Sequence, residues 1–210
     1  MVKDVTDTRQ LILRAALKRF ADAGYAATSV QQIVDDAKVS KPALYYHFAD
    51  KAGLFQALVH EAHDQRYRVL SEAATPGEPL PAQLEKILVA LFNYFRENRE
   101  LMRIAFATMF AAPGEIPEHL DYEDKCERNF EFIHSLFKRA QNNGEISRHF
   151  DSQDMAFGFY GMANFYLVGH LVCPDCNPDK AVAKKVVALF LTGAGPESAK
   201  KIKQPKGKKK

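Results

Sequence analysis

TSVQQIVDDAKVSKPALYYHFADKAGLF, residues 28–55, reads as two short helices joined by a tight turn and followed at once by the start of a third. Thr28 is a good N-cap, and Gln31, three residues on, completes a capping box. Val30, Ile33, Val34 and Ala37 recur at helical spacing and mark one core-facing stripe, with Asp35 and Asp36 off it. Lys38-Val39-Ser40 is long enough only for a turn. Ser40 caps the next helix, and Pro42 falls in its first turn, where a missing N–H costs nothing. Leu44 and Phe48, four apart, form the buried side of that helix. Lys41, Ala43, Tyr46 and His47 therefore lie mostly off it. Asp50 caps a further helix that buries Leu54, Phe55, Leu58, Val59 and Ala62.

Upstream, residues 7–23 form one amphipathic helix. Ile12, Leu13, Ala16, Leu17 and Phe20 share a face, and Gly24 sits where a C-terminal glycine stop is expected. Three helices ending in a helix-turn-helix make a small domain of about fifty residues, within the usual lower size limit. Its middle helix carries Lys41, Tyr45, Tyr46 and His47, with Lys51 just beyond. Cationic and hydroxyl-bearing aromatic side chains suit a groove lined with phosphates and base edges, so the pattern predicts sequence-directed DNA binding. Tyr45 also fits a core aromatic whose hydroxyl reaches solvent. His47 reads as a phosphate-side donor rather than a catalytic base, since no nucleophile or carboxylate is placed to partner it.

This segment resembles the tetracycline-repressor (TetR) family of bacterial one-component regulators. The resemblance rests on residues 9–58: a first helix ending FADAGYAATSV, then QQIVDDAKVSKPALYYHFADKAGLFQAL. The run VSKPALYYHF with Lys51 and Leu54 is its most specific part, and the rest of the chain is similar only in length and helical character. The resemblance implies a homodimer, with an N-terminal DNA reader and a larger helical domain for ligand binding and dimerisation. It also implies a palindromic double-stranded operator whose affinity changes when a small molecule binds. By position, Thr28, Ser40, Tyr45, Tyr46, His47 and Lys51 match phosphate-touching places, while Lys41, Pro42 and Ala43 match places near base edges. Two positions depart from the family. Lys38 stands where glycine is common in the turn, and a left-handed lysine there costs about 1 kcal/mol or a little more. Pro42 replaces a frequent glycine, and its ring either packs on a thymine methyl or holds the helix slightly off the groove.

The 210-residue chain is 47% hydrophobic, enough for a sizeable core. The formal charge is +3, but residues 200–210 alone hold seven lysines and no acid. Residues 1–52 carry eight basic and six acidic side chains, so a modestly basic reader precedes an acidic body. The expected organisation is a helix-turn-helix domain over 1–52, a ligand-binding and dimerisation domain over 53–198, and a disordered basic tail over 199–210. The tail is either a solvated terminus or a source of nonspecific phosphate affinity. No long apolar N-terminal segment suggests secretion, and three cysteines fit a reduced cytoplasm.

Helical stripes recur through the body while strand signals are scarce, so the fold class is all-α with nine helices. After a fourth helix ending near Ala74, the expected spans are 81–98, 100–112, 117–142, Asp151 or Ser152 to about Val172, and 178–192. Residues 155–173, MAFGFYGMANFYLVGHLVC, carry no formal charge over nineteen residues. That nearly spans a bilayer, but Asn164, His170 and three glycines favour a helix buried between subunits, with no membrane partner. Gly158, Gly161 and Phe165, with Val182, Val186, Leu189 and Phe190 of the last helix, are the expected dimer face. Aromatic and methionine side chains suit an apolar effector pocket with a few polar groups. Its candidate residues are Phe92, Phe106, Met109, Phe110, Asn129, Phe130, His134, Met162, Asn164, Phe165 and Tyr166, although each also reads as ordinary core.

Two metal motifs are incomplete. Cys173-Pro-Asp-Cys176 supplies two possible zinc ligands of about four, and His60-Glu-Ala-His63 lacks a third ligand. No cofactor is therefore expected. The leading expectation is a cytoplasmic, ligand-responsive DNA-binding regulator, a repressor released by a small hydrophobic effector. A metal- or thiol-sensing regulator using Cys173 and Cys176 is the alternative. A small helical enzyme is a third, for which no nucleophile–base pair or phosphate loop is legible.

Overall fold

A computed structural model describes residues 5–173 and 178–194. Those residues form nine helices and no strand: α1 (Val5–Ala27), α2 (Val30–Ala37), α3 (Lys41–His47), α4 (Lys51–Ala73), α5 (Leu80–Glu97), α6 (Arg99–Ala107), α7 (Glu123–Asn142), α8 (Ser152–Val172) and α9 (Lys180–Ala194). The all-α expectation holds. The chain divides into two compact units, one of residues 1–66 with 95–126, the other of 67–94 with the chain from Glu127 onward.

In the first unit α1 packs on α2, α3 and α6. The stripe of α1 is buried at Ile12, Leu13, Ala16 and Phe20, while Leu17 is only half-buried. Gly24 interrupts α1 at φ 81°, a conformation costly for any side chain, and the chain then runs through Tyr25 toward α2. Phe20, Tyr25 and Phe55 form a ring cluster with centroids 5.2–5.8 Å apart. The cap of α2 is one residue later than predicted. Ser29, not Thr28, has the extended cap backbone, and Gln32, not Gln31, closes the box. Both hydroxyl residues are good caps, and the buried position of Thr28 decides between them.

Lys38 ends α2 at φ 53°, ψ 44°, the left-handed conformation in which glycine is usual. Its N–H bonds Asp35 O at 3.2 Å, and Val39 N–H bonds Val34 O at 3.0 Å, which satisfies two of the carbonyls at the end of α2. We expect Lys38→Gly to raise stability by about 0.5–1 kcal/mol, the left-handed penalty less glycine's extra unfolded-state entropy. The check is the urea midpoint at constant m. An unchanged or lower midpoint would mean that the backbone carries no strain there.

Two helices are shorter than expected. α6 stops at Ala107 because the Thr108 hydroxyl donates to Ala105 O at 2.7 Å and the next N–H groups make i→i+3 turns. Met109 and Phe110 thus leave the helix and lie 59% and 83% exposed. α7 starts at Glu123 rather than 117. Its first turn holds Glu123 and Asp124, as the positive end of a helix favours.

In the second unit, α5 buries Leu84, Ile87, Leu88, Leu91 and Phe92, and α7 buries Ile133, Leu136 and Phe137. Phe137, Phe159 and Phe190 meet with centroids 5.5–5.8 Å apart. Asp151, rather than Ser152, caps α8 by accepting from Gln153 N–H at 2.7 Å. α8 packs on α9. Its buried face holds Met155, Phe159, Ala163, Leu167 and His170, while Phe157, Phe165 and Val172 stand 73–80% exposed. Among the described residues no helix is long and apolar enough to cross a membrane.

Candidate nucleic-acid interface

α3 is held by its ends and its inner side. Ser40 Oγ accepts from Ala43 N–H at 3.3 Å, Pro42 lies in the first turn, and Phe48 N–H closes the last turn on Leu44 O at 2.9 Å. Leu44 is inaccessible and Phe48 only 6% exposed, with Arg9 over the Phe48 ring at 5.2 Å. The remaining face is therefore presented outward. Lys41 and Pro42 are exposed, Ala43 and His47 half-buried, and Tyr45 and Tyr46 stand 50% and 75% exposed. The alternative of Tyr45 as a core aromatic is thereby set aside. Tyr46 and His47 lie edge to face at 5.0 Å. α2 is braced on α1 by a two-pronged pair, Arg19 to Asp36 at 2.5 and 2.7 Å. The guanidinium holds the Asp36 carboxyl below the usual carboxylate range.

Two sequence-predicted contact residues are turned to internal work. Thr28 is 2% exposed, and its hydroxyl donates to Gly24 O at 2.7 Å. That bond satisfies a carbonyl freed by the kink in α1, so the side chain faces inward. Lys51 Nζ donates to Tyr25 O and Thr28 O, both at 2.9 Å, and lies 4.1 Å from the Tyr25 ring centre. Partial burial pulls its pKa below the ordinary lysine value. An ammonium suits helix-end carbonyls. Two of its three N–H bonds thus join the start of α4 to the end of α1 and the residue after it, and one is left over.

Further along α4, Gln56, His60, His63 and Asp64 share one face. Gln56 exchanges two hydrogen bonds with the Asp121 backbone, at 2.5 and 3.0 Å, and His60 Nε2 reaches the same carbonyl. Lys125 pairs with Asp64 at 2.7 Å. His63 stacks on Tyr122 at 5.5 Å and meets Cys126 Sγ at 3.7 Å. Burial, with Arg66 nearby, pushes the His63 pKa down to about 4, and burial pushes the Cys126 thiol up. The two histidines of the HEAH run thus clasp residues 121–126. No group of three or more His, Cys, Asp or Glu side chains able to hold a metal occurs among the described residues. Cys176 lies outside them, so the C-x-x-C reading has only Cys173 described.

The expected effector residues do not all gather. Phe106, Met109 and Phe110 belong to the first unit and the rest to the second. Phe92 is consumed in the core, and Asn129 is fully buried. Phe130 stacks on His134 at 6.2 Å and meets Phe157 and Tyr160 edge-on at the same distance. Met162 and Asn164 are half-buried, and Phe165 and Tyr166 are exposed. The expected dimer face also divides. Val186 is 1% exposed, and Phe190 packs on Phe137 and Phe159 of its own chain. Val182 is half-buried. Gly158 approaches the Phe190 ring of its own chain rather than a partner helix. Gly161 is open, and Phe165 and Leu189 stand 77% and 65% exposed.

One constellation was illegible beforehand. Ser152 Oγ lies 3.0 Å from His134 Nε2, and Glu131 lies 3.2 Å from the other ring nitrogen. The order resembles a hydrolase triad, but Ser152 is only 8% exposed and tethers α8 to α7. Eighteen residues and a helix boundary separate Ser152 from His134, so only the tertiary structure brings them together.

The model of bacterial regulatory proteins of the tetR family matches residues 12–58 of the chain. The transcriptional regulator AcrR of Shigella flexneri is 33% identical over 194 residues, covering 90% of each chain. Among solved structures, SmeT in complex with triclosan aligns over 97% of both chains with a TM-score of 0.73 at 19% identity. SmeT is described as the repressor of the Stenotrophomonas maltophilia multidrug efflux pump SmeDEF. The fatty acid degradation regulator FadR of Bacillus halodurans gives a TM-score of 0.76 at 18% identity, over 89% of this chain and 95% of that one. These two likenesses concern the fold. The matched family and AcrR are transcriptional regulators, not enzymes.

Proposed function

Because the chain belongs to the tetR family of bacterial transcriptional regulators, we propose that it is a cytoplasmic homodimeric repressor, released from a palindromic operator by a small hydrophobic effector. The observation that carries this reading is the outward face of α3. Lys41 and Pro42 stand at its start, Tyr45, Tyr46 and His47 follow, and Ser40 and Lys51 flank it. A helix so presented enters a major groove with its first residues at the base edges. Lys41 donates to a guanine edge, Pro42 and Ala43 meet the groove floor, and the tyrosines and His47 hold phosphates. Residues 1–52 act as the reader and 53–198 as the ligand and dimerisation domain.

A second copy is the partner of the exposed stripe Gly161, Phe165 and Leu189, because apolar side chains of this size are otherwise left in water. The effector rests in the second unit against Phe130 and His134, an aromatic wall with one polar group. SmeT, which shares the fold, is captured with triclosan, a small organic molecule. α4 is the lever, since Lys51 ties its start to the reader and the Asp121 clasp ties its middle to the chain leading into α7.

Lys41→Ala is expected to weaken operator binding by about 1–3 kcal/mol with relaxed preference at one base pair. Tyr46→Phe is expected to weaken all sequences alike. Fluorescence anisotropy against operator and scrambled duplexes at two salt concentrations separates the two effects. Unchanged affinity in both variants would remove α3 as the reader.

A further inference from the structure

A cleft of about 450 Å³ opens in the first unit between the end of α1 and α6. That volume is in the range of small-molecule sites. Phe20, Tyr25 and Phe55 line one side, and Ile104, Ala107 and Ile116 the other. Three charged side chains reach it: Asp22, Arg103 and Glu115. Glu115 already accepts the Ala112 N–H at 3.0 Å, and Asp22 lies in the field of Arg19. Arg103 is exposed on α6 and has no hydrogen-bond or ion-pair partner among the described residues. It is the one cationic side chain of the cleft's lining. Next to the cleft, between Ala107 and Ala111 of its lining, Met109 and Phe110 stand in water.

We infer that this cleft binds an amphipathic organic anion, its apolar body between the Phe20–Tyr25–Phe55 rings and α6 and its acidic head on Arg103. A guanidinium with free donors is the natural partner of a carboxylate. An apolar body long enough to leave the cleft also covers Met109 and Phe110. The site is separate from the aromatic wall at Phe130. Its bearing on DNA rests on the regulatory reading above, whereas the binding itself does not. The physical link is short: Tyr25, against which the ligand packs, is also the residue whose carbonyl and ring hold Lys51 at the head of α4.

The test is isothermal titration calorimetry of the full chain with decanoate below its micelle concentration, with decanol and decylammonium as comparison probes. The expected result is one decanoate per chain, bound more tightly than either comparison. Arg103→Gln, an exposed substitution, should weaken decanoate about tenfold or more and leave decanol unchanged. Ala107→Trp, also at an exposed position, should fill the cleft and remove both. The inference is overturned if no heat is seen, if decylammonium binds best, or if both variants bind decanoate like the parent. Operator anisotropy run in parallel separates the two readings: if Lys41→Ala and Tyr46→Phe both leave DNA binding intact, the regulatory reading fails while the calorimetric result stands.

Discussion

On the proposed dimer face, Phe165→Asp combined with Leu189→Asp is expected to leave a monomer at micromolar concentration. Both side chains are largely exposed in the single chain, so the protomer loses little, on the order of 0.5 kcal/mol. In a dimer built on this stripe each aspartate is buried against apolar surface. The cost is then about 2 kcal/mol or more per buried site, and four such sites occur in a two-fold assembly. Operator affinity should fall by about 10²–10⁴-fold, since the second half-site no longer benefits from tethering. Light scattering gives the mass, and near-identical thermal midpoints at dilute concentration show that the fold survives. If the double variant keeps the dimer mass and the parent's operator affinity, the stripe is not the interface. The parallel substitution at Phe190 is a contrasting control. Its ring packs on Phe137 and Phe159, so a charge there should unfold the second unit rather than dissociate subunits.

Acid will unfold the protein earlier than its carboxylates alone require, and His63 is the cause. Its ring is stacked on Tyr122 beside Cys126, with Arg66 and Lys125 as cationic neighbours. The folded pKa is about 4, below the ordinary value of 6.5. The unfolded chain therefore binds the proton more readily between these values, and stability falls as pH drops from 6.5 to 4. Above pH 6.5 the histidine is neutral in both states and exacts nothing. Allowing for residual solvent at the site, the loss is about 2–3 kcal/mol. The Arg19–Asp36 pair acts in a lower window, because a carboxyl held below its usual range surrenders its contribution only under about pH 4. Urea unfolding at pH 7, 6, 5 and 4.5 measures the slope. His63→Gln should flatten it by about one proton across this window. An unaltered slope would assign the acid sensitivity elsewhere.

The helix-turn-helix was legible almost to the residue because its determinants are local. Capping hydroxyls, a proline in the first turn and apolar spacing of three and four act within a few residues. The misses there are small and have the same origin. Thr28 and Ser29 are both competent caps, and the choice fell to whether Thr28 is needed under the kink at Gly24. The left-handed Lys38 was suggested only by the resemblance, which puts glycine at that position of the turn.

The body was legible as helices but not as surfaces. In α8 nearly every side chain is apolar, so periodicity cannot say that Phe159 turns inward while Phe157 and Phe165 turn out. The same holds for Val186 and Phe190, placed on the partner face by spacing and inside the chain by packing. Met109 and Phe110 passed for helical core because the Thr108 hydroxyl, which ends α6, competes for a carbonyl that no pattern reveals.

By itself, then, the sequence determined the nine helices of the described residues, the stops at Gly24 and Gly144, and a helix whose lysine, tyrosines and histidine lie off its buried side. Hydrogen bonding between near neighbours and helical periodicity suffice for that. Only the tertiary structure decided what those groups are free to do. It spent the Thr28 hydroxyl and two of the three Lys51 donors on the carbonyls of Gly24, Tyr25 and Thr28, joined Ser152 to His134, and left Arg103 without a partner among the described residues at the edge of a cleft. Such assignments depend on groups far apart in the chain competing for the same few partners, and no local pattern encodes the outcome.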